Sequence, residues 1–217
     1  MMNPRPAFAA FFVFFACCAN TAIAGSSPEI AKGYRILSAD IGAPGCSISL
    51  NDFYGGHVEG GADNNAWYWT DRPPVHSTLG PRLVIEFACG QASEGYAEAH
   101  DRAQMYGASW DSAKKGWVPY YEDDSEKELL SPVTRIYQLK SENAAGFIRT
   151  TDETNGEERL RVRSYKYCLF HADKAICGAG ESMRLMRPAE DYLPLIIRVL
   201  HSVKFVDAPS APNGANP

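Results

Sequence analysis

The sequence is short of positive charge. Its 217 residues include 21 Lys and Arg against 26 Asp and Glu, a formal charge of −5. Such a chain offers no overall electrostatic footprint for nucleic acid or an anionic membrane surface. Metal-binding patterns are missing as well. There is no His-Glu-x-x-His and no Cys-x-x-Cys, and the five histidines (His57, His76, His100, His171, His201) never fall at ligand spacing. Structural roles are expected for them, and no cofactor is implied. Nucleophilic signatures are scarce too. No Gly-x-Ser-x-Gly elbow occurs. Ser112-Ala113-Lys114-Lys115 fits the Ser-x-x-Lys of penicillin-recognising enzymes, but their Lys-Thr-Gly partner is absent, which marks the match as coincidence. The glycine-rich runs Tyr54–Gly61 and Gly178–Glu181 lack the context of a phosphate cradle and read as a flexible loop and a tight turn. Asp152–Glu158 does not make an EF-hand loop and reads as a solvated turn. No internal repeat is visible.

Long hydrophobic runs are also lacking. The longest, Ala7–Ala19, spans thirteen residues, a helix of roughly 20 Å against a hydrocarbon core of about 30 Å. It follows a short segment containing Arg5 and precedes Ala22-Ile23-Ala24, the small-x-small pattern of a signal peptidase site. Residues 1–24 are therefore expected to be a signal peptide, cleaved before Gly25. Cys17-Cys18 leaves a lipid-anchored form as an alternative, although Phe14-Phe15-Ala16 makes a poor lipobox. After cleavage the formal charge becomes −6, since Arg5 is the only charge removed. No transmembrane segment is then expected, and the location is periplasmic or secreted.

What the sequence does have is the material of a packed globule: 45% hydrophobic residues, with four Trp, eleven Tyr and ten Phe. Residues 25–206 are expected to form one α+β domain with a mainly antiparallel sheet flanked by helices. Residues 207–217, rich in Pro, Ala, Ser and Asn, read as a disordered tail. Strands are expected at Tyr34–Ile41, at Cys46–Leu50 and, most clearly, at Arg82–Cys89, where Leu83, Ile85, Phe87 and Cys89 alternate with smaller or polar residues. Between them, residues 51–81 read as a long loop with a short strand at Ala66–Thr70. Ala92–Tyr106 has helical propensity and Gly107 stops it, with Trp110 and Trp117 in the following connection. A meander of Val133–Leu139, Phe147–Thr151, Leu160–His171 and Lys174–Gly178 follows. Ala189–His201 then places Leu193, Ile196, Ile197 and Leu200 at helical spacing, with Pro194 in the first turn. Ser202–Val206 suits a final edge strand.

Four cysteines follow the signal-like segment, and in an exported chain they imply two disulfides with three possible pairings. The hairpin at Ala172-Asp173 chooses among them. A two-residue loop there sets His171 opposite Lys174 and Cys168 opposite Cys177. Directly opposed residues lie about 4.5–5.5 Å apart, within disulfide reach in the closer pair type. Cys168–Cys177 is the first expected bridge, and Cys46–Cys89 follows by elimination.

The ending Leu195–Phe205, an amphipathic helix closing on Leu200-His201-Ser202-Val203-Lys204-Phe205, resembles the last helix and strand of Mog1/PsbP-like proteins. That resemblance covers about a dozen residues and implies an antiparallel sheet set between helices. Exported bacterial immunity proteins, which neutralise type VI secretion toxins in the periplasm, share that fold and the present plan of signal peptide, disulfide-bonded body and no catalytic kit. The resemblance thus implies a non-enzymatic inhibitor whose partner is a protein toxin, with a small-ligand-binding or accessory protein of the cell envelope as the alternative. It carries over no interface residue. Two features of the sequence itself are candidates for partner binding. Trp67, Tyr68 and Trp69 concentrate amphipathic aromatics, which serve either as interface anchors or as core. Glu122, Asp123 and Asp124 open an acidic run that either steers a basic partner or is simply a solvated loop.

Overall fold

The computed structural model describes residues 30–31, 33–42, 44–93 and 101–206. The expected signal peptide, Cys17, the expected tail and residues 94–100 of the expected helix lie outside them. The described chain is mostly antiparallel sheet with few helices, joined by two disulfides.

The smaller sheet has strand order β1 (Ile30–Ala31), β2 (Tyr34–Asp40), β3 (Ser47–Asp52) and β13 (Lys204–Phe205). Cys46, Ile48 and Leu50 alternate inward along and just before β3, as the period-two pattern requires. The larger sheet has seven strands in the order β4 (His57–Ala62), β5 (Asn65–Thr70), β6 (Leu83–Gln91), β12 (Lys174–Arg184), β11 (Val162–His171), β10 (Ala145–Asp152) and β9 (Thr134–Lys140). It consists of two meanders, β4–β5–β6 and β9–β12, that meet only where β6 pairs with β12. A separate hairpin, β7 (Ala108–Asp111) with β8 (Gly116–Pro119), completes the strands.

Several elements differ from the sequence expectation. The long loop of residues 51–81 contains a full hairpin, β4–β5. Strand β4, His-Val-Glu-Gly-Gly-Ala, is too rich in glycine to show an apolar alternation. Trp110 and Trp117 belong to β7 and β8 and pack edge to face at 5.4 Å. The Ser112–Lys115 segment is the turn between those strands, held by Asp111, whose Oδ1 accepts from the amides of Ala113 and Lys114 at 3.0 Å. Leu160 lies in a 3₁₀ turn, Glu158–Leu160, and is exposed rather than aligned with Val162 on a strand. Finally, Gly178–Glu181 is no tight turn: β12 runs straight through it to Arg184.

Three helices are short: α1 (Asp101–Met105), α2 (Asp124–Leu130) and α3 (Leu193–His201). Helix α3 buries Leu193, Ile196, Val199 and Leu200, and Pro194 sits in its first turn, where no amide is needed. Its stripe joins one apolar cluster with the inner faces of both sheets, including Ile48, Leu50, Tyr68, Phe87, Ile148 and Leu169. A second cluster covers the opposite face of the larger sheet, where Trp117 stacks on Phe170 at 5.0 Å beside Phe147 and the Cys168–Cys177 bridge.

Both expected bridges are present. Cys168 opposes Cys177 in the β11–β12 ladder with Cα atoms 4.1 Å apart, and His171 opposes Lys174 around the Ala172-Asp173 turn. The positive φ of Ala172, 51°, supplies the left-handed residue that a two-residue hairpin loop requires. Cys46 and Cys89, 6.0 Å apart at Cα, tie the smaller sheet to the larger.

Candidate functional site

The joint between the two meanders is where the larger sheet opens. Pairing of β6 with β12 runs from Gln91–Lys174 to Cys89–Ile176 and Ala88–Cys177, and stops there. The amide of Cys89 donates to Asn64 O at 2.9 Å. By antiparallel alternation, Leu83, Ile85, Phe87 and Cys89 direct their backbone groups at β5, so Val84, Glu86 and Ala88 direct theirs at β12. Beyond Ala88 the two strands part, and the carbonyl of Glu86 receives the hydroxyl of Tyr167 instead of an amide from β12.

Glycine makes this crossing possible. Tyr167 opposes Gly178 and Tyr165 opposes Gly180 in the β11–β12 register. A Cβ on Gly178 would stand 2.3 Å from the Glu86 carbonyl oxygen and 2.7 Å from the Tyr167 ring, and one on Gly180 would meet Tyr165 Oη at 2.9 Å. Both rings therefore reach across β12 through the space that side chains would fill. The register slips between Arg163 and Ser164, a bulge that adds local twist to the same strand pair. Just past β12, the amide of Tyr192 donates to Ser182 O at 2.9 Å and brings the Tyr192 ring to the gap.

The result is a cleft of about 360 Å³ between the parted strands. Its walls include Trp67 from β5, Arg82 and Glu86 on or beside β6, Glu181 from β12, and the rings of Tyr165 and Tyr192. The side chains divide into occupied and unoccupied groups. Arg82 is committed: its Nε donates to Asp71 Oδ1 at 2.5 Å, and its guanidinium lies 4.7 Å from the Trp69 ring centre. Tyr192 donates to Gly80 O at 3.3 Å. By contrast, Glu86 and Glu181 make no side-chain hydrogen bond or ion pair to any other described residue. Tyr165 is only 3% exposed, yet its hydroxyl, which opens on the cleft, has no partner among the described residues. Burial first, and then the negative charge of Glu86, push that hydroxyl well above the ordinary tyrosine range, so it stays protonated. The cleft thus presents two free carboxylates, a neutral hydroxyl and an aromatic wall.

The candidate residues named from the sequence fall in different places. Trp67 is 38% exposed and faces the cleft. Tyr68 points to the opposite side of β5, is fully buried, and donates to Asp52 Oδ1 at 3.1 Å. It has no surface to offer a partner, so the aromatic triplet contributes core as well as surface. Trp69 is half-buried, with His57 at 4.8 Å and Arg82 against its ring. The acidic run has local work at the start of α2. Asp123 caps the helix, its Oδ1 accepting from the Glu126 amide at 2.7 Å, while Glu126 Oε2 accepts from the Glu122 amide at 2.6 Å. Glu122, Asp123 and Asp124 line a separate open depression of about 540 Å³ with Tyr120, Tyr121 and Lys127. They do not share the Trp67 cleft. The cysteines form the two bridges.

Glu86, Glu181 and Tyr165 were not singled out by sequence reasoning. A signal existed for Tyr165 alone: the hairpin register that pairs Cys168 with Cys177 also sets Tyr167 and Tyr165 opposite Gly178 and Gly180. Among the described residues, no group of three His, Cys, Asp or Glu is placed to hold a metal ion, and no helix is long and apolar enough to cross a membrane. No family model, curated protein or solved structure matches the chain.

Proposed function

We propose that the protein is a non-enzymatic, periplasmic binding protein of the exported immunity type, which neutralises a type VI secretion toxin by occlusion. The observation that carries this reading is the Trp67 cleft. An exposed tryptophan beside two unpaired carboxylates has the composition of an interface anchor, large in contact area and complementary to a basic partner. The two disulfides support an oxidising compartment, as does the signal-like pattern of residues 1–24. The run from helix α3 directly into β13 supports the Mog1/PsbP-like reading of the chain's end. A small-ligand-binding role in the envelope is the second reading, favoured by the Tyr165 hydroxyl that opens unpaired on the same cleft.

Co-expression with a periplasm-directed toxin encoded beside its gene is the test. Wild-type protein should restore growth and co-purify with the toxin, and Trp67→Ala should weaken that complex by about 10–100-fold. If no neighbouring toxin is neutralised and none is bound, the reading fails.

A further inference from the structure

We propose that the cleft between β6 and β12 is a receptor for one basic side chain, an arginine or lysine carried by a protein partner. The inference rests on the binding-protein reading and supplies the chemistry of its contact. Four properties of the site converge on that occupant. Glu86 and Glu181 stand on the two parted strands and both line the cleft, and neither has a hydrogen-bonded or ion-paired cation among the described residues. Arg82, the one arginine among the described residues of the cleft wall, has its charge matched by Asp71 and its face against Trp69, so it leaves the carboxylates unneutralised. Trp67 supplies an aromatic wall, which favours a cation with an apolar stem over a hydrated inorganic ion. The hydroxyl of Tyr165, on a side chain 3% exposed, lies in the cleft wall beside Gly180 without a partner among the described residues and offers an acceptor oxygen for an N–H.

The sheet itself keeps the receptor open. Tyr167 spans the gap to the Glu86 carbonyl, and Gly178 provides the room for its ring, so β6 and β12 cannot zip further. The site is therefore formed before a partner arrives, which lowers the ordering cost of binding. A guanidinium entering the cleft supplies the counter-ion that both carboxylates lack, and its planar fork of N–H donors suits carboxylate oxygens. A neutral side chain of the same shape supplies no such charge.

The test uses the disulfide-bonded protein and three probes, read by the chemical shift of the Trp67 indole N–H, assigned with Trp67→Phe. N-acetyl-L-arginine methylamide should shift that signal saturably, with a Kd on the order of 1 mM, as befits a single side chain. The citrulline analogue, isosteric but uncharged, should not. In Glu86→Gln/Glu181→Gln the arginine probe should bind at least about tenfold more weakly, and Tyr165→Phe should weaken it a few-fold. Neither variant removes an intramolecular bond, so unchanged melting temperatures are expected to show that the fold is intact. Equal binding of the citrulline probe, undiminished binding to the double variant, or no shift at Trp67 would each overturn the proposal. Spermidine binding more tightly than the blocked arginine would overturn the assignment to a protein side chain and favour a free polyamine. The probe titration decides the cleft's chemistry without a toxin. Conversely, a double variant that still protects against the toxin with unweakened affinity would refute the cleft and leave the immunity reading standing.

Discussion

At the scale of single residues, Asp52 shows how a buried charge is held in this fold. It is 7% exposed, and four partners converge on it. Arg35 donates to Oδ2 at 2.6 Å, while the amides of Gly56 and Tyr54 and the hydroxyl of Tyr68 donate to Oδ1 at 2.7, 3.2 and 3.1 Å. Burial alone would raise the carboxyl's pKa. The Gly56 amide and the Arg35 guanidinium outweigh it, with help from the Tyr54 amide and Tyr68, and hold the group below the usual aspartate range. A depressed folded-state pKa stabilises the protein above the unfolded value, near 3.9, and that stabilisation is lost as pH falls through the folded value. Asp52→Asn should therefore cost about 2–3 kcal/mol at pH 7, a fall in Tm of roughly 5–10 °C. In thermal melts the gap to wild type should narrow below about pH 4; a gap constant from neutral to acid pH would show that the ionised carboxylate is not what stabilises. None of this was legible in the sequence, where Asp52 is one acid at the end of an apolar alternation. The Trp67-Tyr68-Trp69 triplet was half legible. Its alternation requires Tyr68 to face away from its neighbours, but only the fold decides which face is the core.

At the scale of elements, what could be read was whatever carried period-two alternation or a helical stripe. Leu83–Cys89, the β11–β12 hairpin and α3 all do: the first and last formed within a few residues of their expected bounds, and the hairpin formed with the expected turn and register, although β12 runs on past Gly178 to Arg184. What was missed lacked large apolar residues. Strand β4 holds two glycines in six residues, and β12 continues through Gly178-Ala179-Gly180, which looks like a turn when taken alone. Those glycines matter because of side chains on the neighbouring strand. Gly178→Ala places a methyl against a backbone oxygen and a buried ring, and should cost about 2 kcal/mol or more. Gly180→Ala meets only the outer edge of the Tyr165 ring, with contacts of 2.9–3.0 Å at a hydroxyl end that holds no partner, and should cost about 1 kcal/mol. Urea unfolding of the two variants measures both. Equal costs would mean that the Tyr167 crossing to Glu86 does not set the requirement for glycine.

At the scale of the whole molecule, the two disulfides act on different parts of the architecture. Cys168–Cys177 closes a separation of nine residues inside a hairpin whose strands the ladder already pairs. Cys46–Cys89 closes a separation of 43 residues and joins two sheets that share a core but no backbone ladder. Chain entropy assigns about 2.7 kcal/mol to the short loop and about 4 kcal/mol to the long one. The asymmetry has a structural side as well. Without Cys46–Cys89, the smaller sheet stays on the larger through side-chain packing around Ile48, Leu50, Phe87 and α3 and through hydrogen bonds such as Tyr68–Asp52 and Asn143–Phe205. Without Cys168–Cys177, the hairpin keeps its register through its turn and both flanking strands. Cys46→Ala/Cys89→Ala should therefore lower Tm by roughly 8–15 °C, against roughly 5–10 °C for Cys168→Ala/Cys177→Ala. Hydrogen exchange should separate the two further. The first variant should lose protection preferentially in β2 and β3, whereas the second should lose it evenly across the larger sheet, because its local pairing survives until global unfolding. A larger Tm loss from the hairpin bridge, or even loss of protection in the first variant, would show that the smaller sheet is held by its core contacts and not by the covalent link.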